Sequence, residues 1–237
     1  MTKIDRAVKF CWNRPVATGR RLTTQGAERR RQLLDCAATL FADRGFENTR
    51  VVDIVRAAGV AKGLFYWYFE NKEALFKELV EDTRHRLRLA QGEGMDRGAD
   101  PLVQLRQGTE ASVRFVVQHA HLYALLRAES LDRGVARLMK AGTDVHADDT
   151  AAVIRAGIDA GLIRDEDPRM LAFGVLGLVA YYSHFHRTGR IDVPADELAS
   201  FVGRLVVRSL AVDDDVAARA LAPPPPAARP VRAVAGR

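Results

Sequence analysis

The residues best suited to chemistry lie between positions 59 and 72. Lys62, Gly63, Leu64, Tyr66 and Trp67 form one short run, with Gly59 before it and Lys72 after it. This mixture suits recognition of a phosphate-lined groove better than bond breaking. An ammonium neutralises phosphate charge, a glycine lets backbone approach a phosphate, and rings can lie against base edges. Lys72 opens a further helical stretch, where its charge and free backbone N–H groups favour a phosphate. Other chemistries find little support. No nucleophile motif, phosphate loop or zinc-protease signature occurs. His119 and His121, and likewise His184 and His186, are two residues apart and point to different helix faces, which disfavours metal ligation. Asp165-Glu166-Asp167 reads as a loop and helix start. The expectation is a chain that is not an enzyme and needs no cofactor or metal.

Charge supports the same reading. The chain carries a formal net charge of +6. Residues 1–80 hold 15 Lys and Arg against 9 Asp and Glu, whereas residues 81–237 hold 21 of each. The whole excess sits in the N-terminal third, where a polyanion-binding surface is expected.

The elements that must position these residues are helical. From about Gln25, Leu33, Leu34, Ala37, Ala38, Leu40 and Phe41 form an apolar stripe that ends near Gly45. A second helix is expected over Arg50–Ala58 behind the candidate cap Thr49, and a third over Ala61–Tyr68. Gly59, free to adopt a left-handed conformation, turns the chain between them. Ile54 and Val55 face inward, Ala57 and Ala58 allow close crossing, and Val60 plugs the core. The third helix then presents Lys62, Leu64, Tyr66 and Trp67 outward, as the second helix of a helix-turn-helix does. Asn71 can cap a fourth helix with the buried stripe Leu75, Phe76, Leu79 and Val80.

The segment TRVVDIVRAAGVAKGLFYWYFENKEALF, Thr49–Phe76, resembles the DNA-binding domain of the TetR (tetracycline repressor) family of bacterial regulators. The resemblance covers about Gln25–Val80 and rests on Gly45, Phe46, Thr49, Ile54, Ala58, Gly59, Val60, Gly63, Tyr66, Tyr68, Phe69 and Lys72. It implies that Thr49, Tyr66 and Lys72 contact phosphates. Lys62, Leu64 and Trp67 would lie against bases or backbone, with Arg50 and Gly63 beside them in the DNA-facing set. Tyr68 and Phe69 are expected to pack the domain. Three positions depart from the family pattern: Ala61 replaces a frequent Ser cap, Leu64 a frequent Thr and Trp67 a frequent His. Losing the cap costs about 1 kcal/mol of helix stability, and the other two changes prevent borrowing any relative's base preference.

The expected architecture is all-α: a three-helix helix-turn-helix domain linked to a helical effector-binding and dimerisation domain. Residues 1–24 read as a flexible basic arm. Its Arg20 and Arg21, with Arg29, Arg30 and Arg31, could follow the DNA backbone, enter a minor groove or simply be solvated. Residues 25–72 read as the DNA-binding domain, 73–212 as the effector and pairing domain, and 213–237 as a disordered Pro/Ala/Arg tail. Gln91–Pro101 reads as a connection. Further helices are expected near 102–119, 121–130, 132–160, 168–188 and 195–212, with Asp167-Pro168 opening the fourth of these.

A short reading helix contacts few base pairs, so two heads on a palindromic operator are expected. LAFGVLGLVAYY is apolar on several sides, and Phe201, Val202, Leu205, Val206 and Leu210 form a second apolar face. The resemblance implies a homodimer joined through helices near 168–188 and 195–212, an unknown small-molecule effector and, most often, repression. An apolar or aromatic effector would meet Phe115, His119, Tyr123, Leu126, Tyr181, Tyr182 and His184. The longest apolar run, Leu171–Tyr182, is twelve residues and too short to span a bilayer. With only Cys11 and Cys36, the chain fits a reducing cytoplasm.

Overall fold

The computed structural model describes residues 23–120 and 133–223. Residues 1–22 of the arm expected over 1–24, the helix expected at 121–130 and the part of the expected 213–237 tail beyond 223 lie outside the described residues. All named elements among the described residues are helices: α1 (Thr24–Arg44), α2 (Val51–Ala57), α3 (Lys62–Tyr68), α4 (Lys72–Gly94), α5 (Pro101–Gln118), α6 (Arg133–Asp159), α7 (Pro168–Arg187), α8 (Ala195–Leu210) and α9 (Asp214–Leu221). The fold is all-α, with a helix-turn-helix domain followed by a helical domain.

Local chemistry accounts for the helix starts. Thr23 accepts from the Gly26 N–H at 3.1 Å to open α1, and Asn71 accepts from Ala74 at 2.7 Å to open α4. Asp100 and Asp167 cap α5 and α7, each followed by a proline whose missing N–H costs nothing in a first turn. Two positive-φ glycines shape the first domain. Gly59, at φ 63°, turns the chain from α2 toward α3, and Gly45, at φ 81°, leads it out of α1.

The first core is aromatic. Phe41, Phe65 and Phe76 are fully buried with Leu33, Ile54 and Leu75. Phe46 packs on Phe41 and Phe76, with ring centroids 5.2 and 5.0 Å away. Leu79 and Val80 belong to this core, so its packing continues into α4 beyond residue 72. The same helix then runs on to pack against the second domain, so one continuous helix belongs to both.

The second domain is built around α5. Leu102 and Leu105 pack with Ile154, Ile163, Val175, Val206 and Leu210, and Val113 and Val116 pack with Val179, Leu198 and Val202. Helices α5 and α8 approach closely at Gly203, where a Cβ would stand 2.8 Å from the Glu110 Cγ.

Two expectations need correction. Gln91–Pro101 is not all connection, because α4 continues through Gln91 to Gly94. Gly94 serves close packing on α5: a Cβ there would meet the Ala111 Cβ at 3.0 Å, and Gln91 donates to the Ser112 hydroxyl at 2.8 Å. The tail also starts later than residue 213. Asp213 accepts from the Val216 N–H at 2.8 Å and opens α9, which buries Val216, Ala217 and Ala220 against the second core.

Candidate nucleic-acid interface

Helix α3 divides into an inner and an outer side. Phe65 is fully buried and Phe69, just past the helix, is 3% exposed, while Tyr66 and Trp67 are each 52% exposed. Lys62 and Gly63 are also exposed, whereas Leu64 and Tyr68 are half-buried. At 100° per residue, Lys62, Gly63, Tyr66 and Trp67 share one face, with Gly63 near its middle. A Cβ on Gly63 would meet nothing within 4 Å, so the middle of that face is open. The Lys62 ammonium lies 5.9 Å from the Tyr66 ring centroid. Trp67 rests edge-on against Tyr68 at 4.6 Å, which braces the indole while leaving much of it in solvent.

The turn before α3 is tied down from α1. Gln32 donates its side-chain amide to the Ala58 carbonyl at 3.0 Å, satisfying an end-of-helix acceptor of α2. Val60 packs against the first core, as expected. Ala61 precedes α3 with no side-chain cap, in line with the missing Ser.

Thr49 is a correction. It does not cap α2 and its side chain is not open to a phosphate, because the residue is fully buried. Its hydroxyl is within bonding distance of the Gly45 carbonyl at 2.8 Å and the Leu40 carbonyl at 3.3 Å. The residue locks the chain leaving α1 onto the end of that helix. Arg50 takes the cap position instead. Having no acceptor, its side chain cannot cap. Asp53 reaches back to accept from the Arg50 backbone N–H at 3.1 Å and from its Nε at 3.2 Å. The hydrogen bonds from Arg50 hold the Asp53 carboxyl below its usual range. The Arg50 side chain remains 75% exposed at the start of α2.

Lys72 has a structural partner as well as a charge. Its ammonium donates to the Phe46 carbonyl at 2.7 Å and lies 4.1 Å from the centroid of the Phe46 ring. Arg30 likewise turns inward: it forms an ion pair with Glu78 and lies 5.5 Å from the Phe69 ring centroid. Arg29 bonds Gln32 at 3.0 Å, and Arg31 is exposed. Sequence reasoning passed over Gln32 and the Arg30–Glu78 pair. Residues 26 and 48 positions apart leave no local pattern to read. Exposed Arg44 and Arg56 add cations to this domain.

Among the described residues the effector candidates lie on two helices, α5 with its C-cap and α7. Phe115 is buried and stacks on His119 with centroids 4.3 Å apart. The His119 Nδ1 lies 2.9 Å from the Phe115 carbonyl and its Nε2 3.0 Å from an Arg86 nitrogen. Tyr182 packs elsewhere, with the Phe201 ring at 5.6 Å, and His184 lies 2.9 Å from an Arg187 nitrogen. Tyr181 is a correction: at 55% exposed it does not line an interior. Tyr123 and Leu126 lie outside the described residues.

On α7 and α8 an apolar surface faces solvent. Met170 is 74% exposed, Phe173 43%, Tyr181 55% and Phe201 45%. Gly174 and Gly177 would accept a Cβ without meeting anything within 4 Å. Among the described residues no helix is long and apolar enough to cross a membrane, and no cluster of side chains could hold a metal ion.

Comparison with known proteins gives this geometry a family. Residues 33–79 match the model for bacterial regulatory proteins of the tetR family, and residues 98–210 match the tetracyclin repressor-like C-terminal domain. The chain is 43% identical over 67 residues to an uncharacterized HTH-type transcriptional regulator of Bacillus subtilis, covering 28% of this chain and 34% of that protein. It is 34% identical over 110 residues to the HTH-type transcriptional repressor KstR2 of Mycolicibacterium smegmatis, covering 46% and 53%. The chain thus spans a third to about half the length of these curated relatives. The crystal structure of the TetR family transcriptional regulator PfmR from Thermus thermophilus superposes with a TM-score of 0.65 at 26% identity, covering 76% of this chain and 95% of that one. With both halves of one family matched in order, and its fold reproduced, the chain belongs to the TetR family of bacterial regulatory proteins.

Proposed function

We propose that the chain is a DNA-binding transcriptional regulator that acts as a homodimer on a palindromic operator and releases it in response to a small molecule. One observation carries the reading. Lys62, Tyr66 and Trp67 stand exposed on one face of a helix whose opposite side, Phe65, is locked into a closed aromatic core. Leaving about half of each of two large rings in solvent costs solubility, whereas a helix of this kind fits a major groove. The repressor direction is supported by the name of the M. smegmatis relative.

Pairing is supported by the exposed Met170, Phe173, Tyr181 and Phe201 on α7 and α8. A second copy covering this surface would remove it from water and bring a second reading head to the operator. For sensing, Phe115 and His119 are the candidates retained, and an apolar or aromatic effector would suit the stacked pair. Its binding would favour a conformation in which the two α3 helices no longer match successive grooves. Selection of bound duplexes from random DNA by the full-length protein tests the proposal. An enriched two-fold symmetric sequence is the expected result, and enrichment of none would remove it.

A further inference from the structure

The chemistry of the exposed α3 face narrows what it can read, if the face enters a major groove as proposed above. Hydrogen-bonding capacity there is one-sided. The Lys62 ammonium and the Trp67 indole N–H only donate, and Gly63 contributes no side chain. The Tyr66 hydroxyl is the one side-chain acceptor among these four residues. No carboxylate or amide accompanies them, so only the Tyr66 hydroxyl could accept from cytosine N4, and no side chain there can pair with adenine N6 and N7 together. Keto bases present the opposite pattern. Guanine offers O6 and N7 as acceptors, while thymine offers O4 and an apolar C5-methyl group.

The apolar part of the face decides between them. Tyr66 and Trp67 are both 52% exposed, with the open surface of Gly63 between them. Trp67 is braced by Tyr68 at 4.6 Å, so its ring is presented at little entropic cost. The Lys62 charge over the Tyr66 ring brings a cation beside the same surface. Such a face gains most from a methyl group flanked by acceptors. We propose that α3 selects keto-base edges, and that the rings of Tyr66 and Trp67 read the C5-methyl group of thymine in each half-site.

The test replaces thymine by deoxyuridine, one position at a time, in a duplex selected by the full-length protein. This substitution deletes the methyl and keeps base pairing and O4. At least one thymine per half-site should cost about fourfold in affinity, the worth of one buried carbon. That penalty should vanish in Trp67→Ala or Tyr66→Ala, both at exposed positions that leave the core untouched. A fully deoxyuridine duplex bound as tightly as the parent overturns the proposal, as does a penalty that persists unchanged in both variants. Failure to select any duplex would overturn the DNA-binding reading along with it. An operator bound specifically but insensitive to the methyl overturns only this inference.

Discussion

The Lys72 ammonium and the Phe46 carbonyl are 2.7 Å apart, with the same ammonium lying over the Phe46 ring at 4.1 Å. This contact joins the first turn of α4 to the loop that leaves α1. Lys72, which we propose as a phosphate contact, is therefore also a clamp between these two segments of the first domain.

Lys72→Met should lower both stability and DNA affinity. A charge-assisted hydrogen bond and a cation–ring contact are lost, together about 1–3 kcal/mol. Urea denaturation reads the first effect, and a salt titration of DNA binding reads the second. If Lys72 is only a clamp, the dependence of affinity on salt will not flatten; if it is only a phosphate contact, the urea midpoint will not move.

Gly63 separates folding from function. Its φ is not in the left-handed region, and an added Cβ meets nothing. Gly63→Ala should therefore leave stability unchanged or raise it by up to about 1 kcal/mol through helix propensity. DNA affinity should fall, because the new methyl occupies the middle of the reading face. Gly59→Ala provides the contrast. It also has open space around it, but at φ 63° the backbone is strained for any L side chain, and stability should drop by about 1 kcal/mol.

Gly203→Val should weaken the second domain without touching the reading head. The α5–α8 approach leaves no room, since even a Cβ would lie 2.8 Å from the Glu110 Cγ and 3.3 Å from the Arg106 Cγ. Overpacking of this kind costs about 1–3 kcal/mol. Thermal unfolding of the variant should shift downward, and an unchanged midpoint would show that the two helices separate freely here.

His146 predicts a pH dependence. Burial holds its pKa below 6.5; Arg88 and Arg84 push in the same direction, and Asp149 opposes them. The unfolded state then binds the proton more readily than the folded state. The stabilisation is complete above the ordinary value of 6.5 and is lost as pH falls through the window below it. Denaturant titrations at neutral and mildly acidic pH should show wild type losing stability relative to His146→Gln. Parallel curves for the two proteins would count against the assignment.

Much of this was legible in the sequence where physics is local. The stripe Leu33, Ala37, Phe41 announces one face of α1, and Asn71 and Asp167 announce caps that three-residue spacing makes unavoidable. Gly59 sits where only a left-handed residue turns the chain. Elsewhere local preference pointed the wrong way. Thr49 has the side chain of a good cap, but a hydroxyl can equally bond a preceding carbonyl, and burial chose that. Gly94 looks like a helix breaker until α5 is laid against it at the distance of Ala111. The α9 helix hid in an Ala-rich stretch, although Asp213 and the spacing of Val216, Ala217 and Ala220 carried a faint signal. Tyr181 was indistinguishable from a core aromatic, because α7 is apolar on several sides and only its packing shows which side is left uncovered.

The most direct measurement of the central claim is a fluorescence anisotropy titration of the full-length protein. It compares the selected operator with a scrambled duplex of equal length at one fixed salt concentration. Wild type should prefer the operator by at least about a thousandfold. A Tyr66→Ala, Trp67→Ala double variant should lose most of that preference while keeping salt-dependent binding to both duplexes. Equal affinity of wild type for the two duplexes, or a double variant that discriminates as well as wild type, would contradict the account.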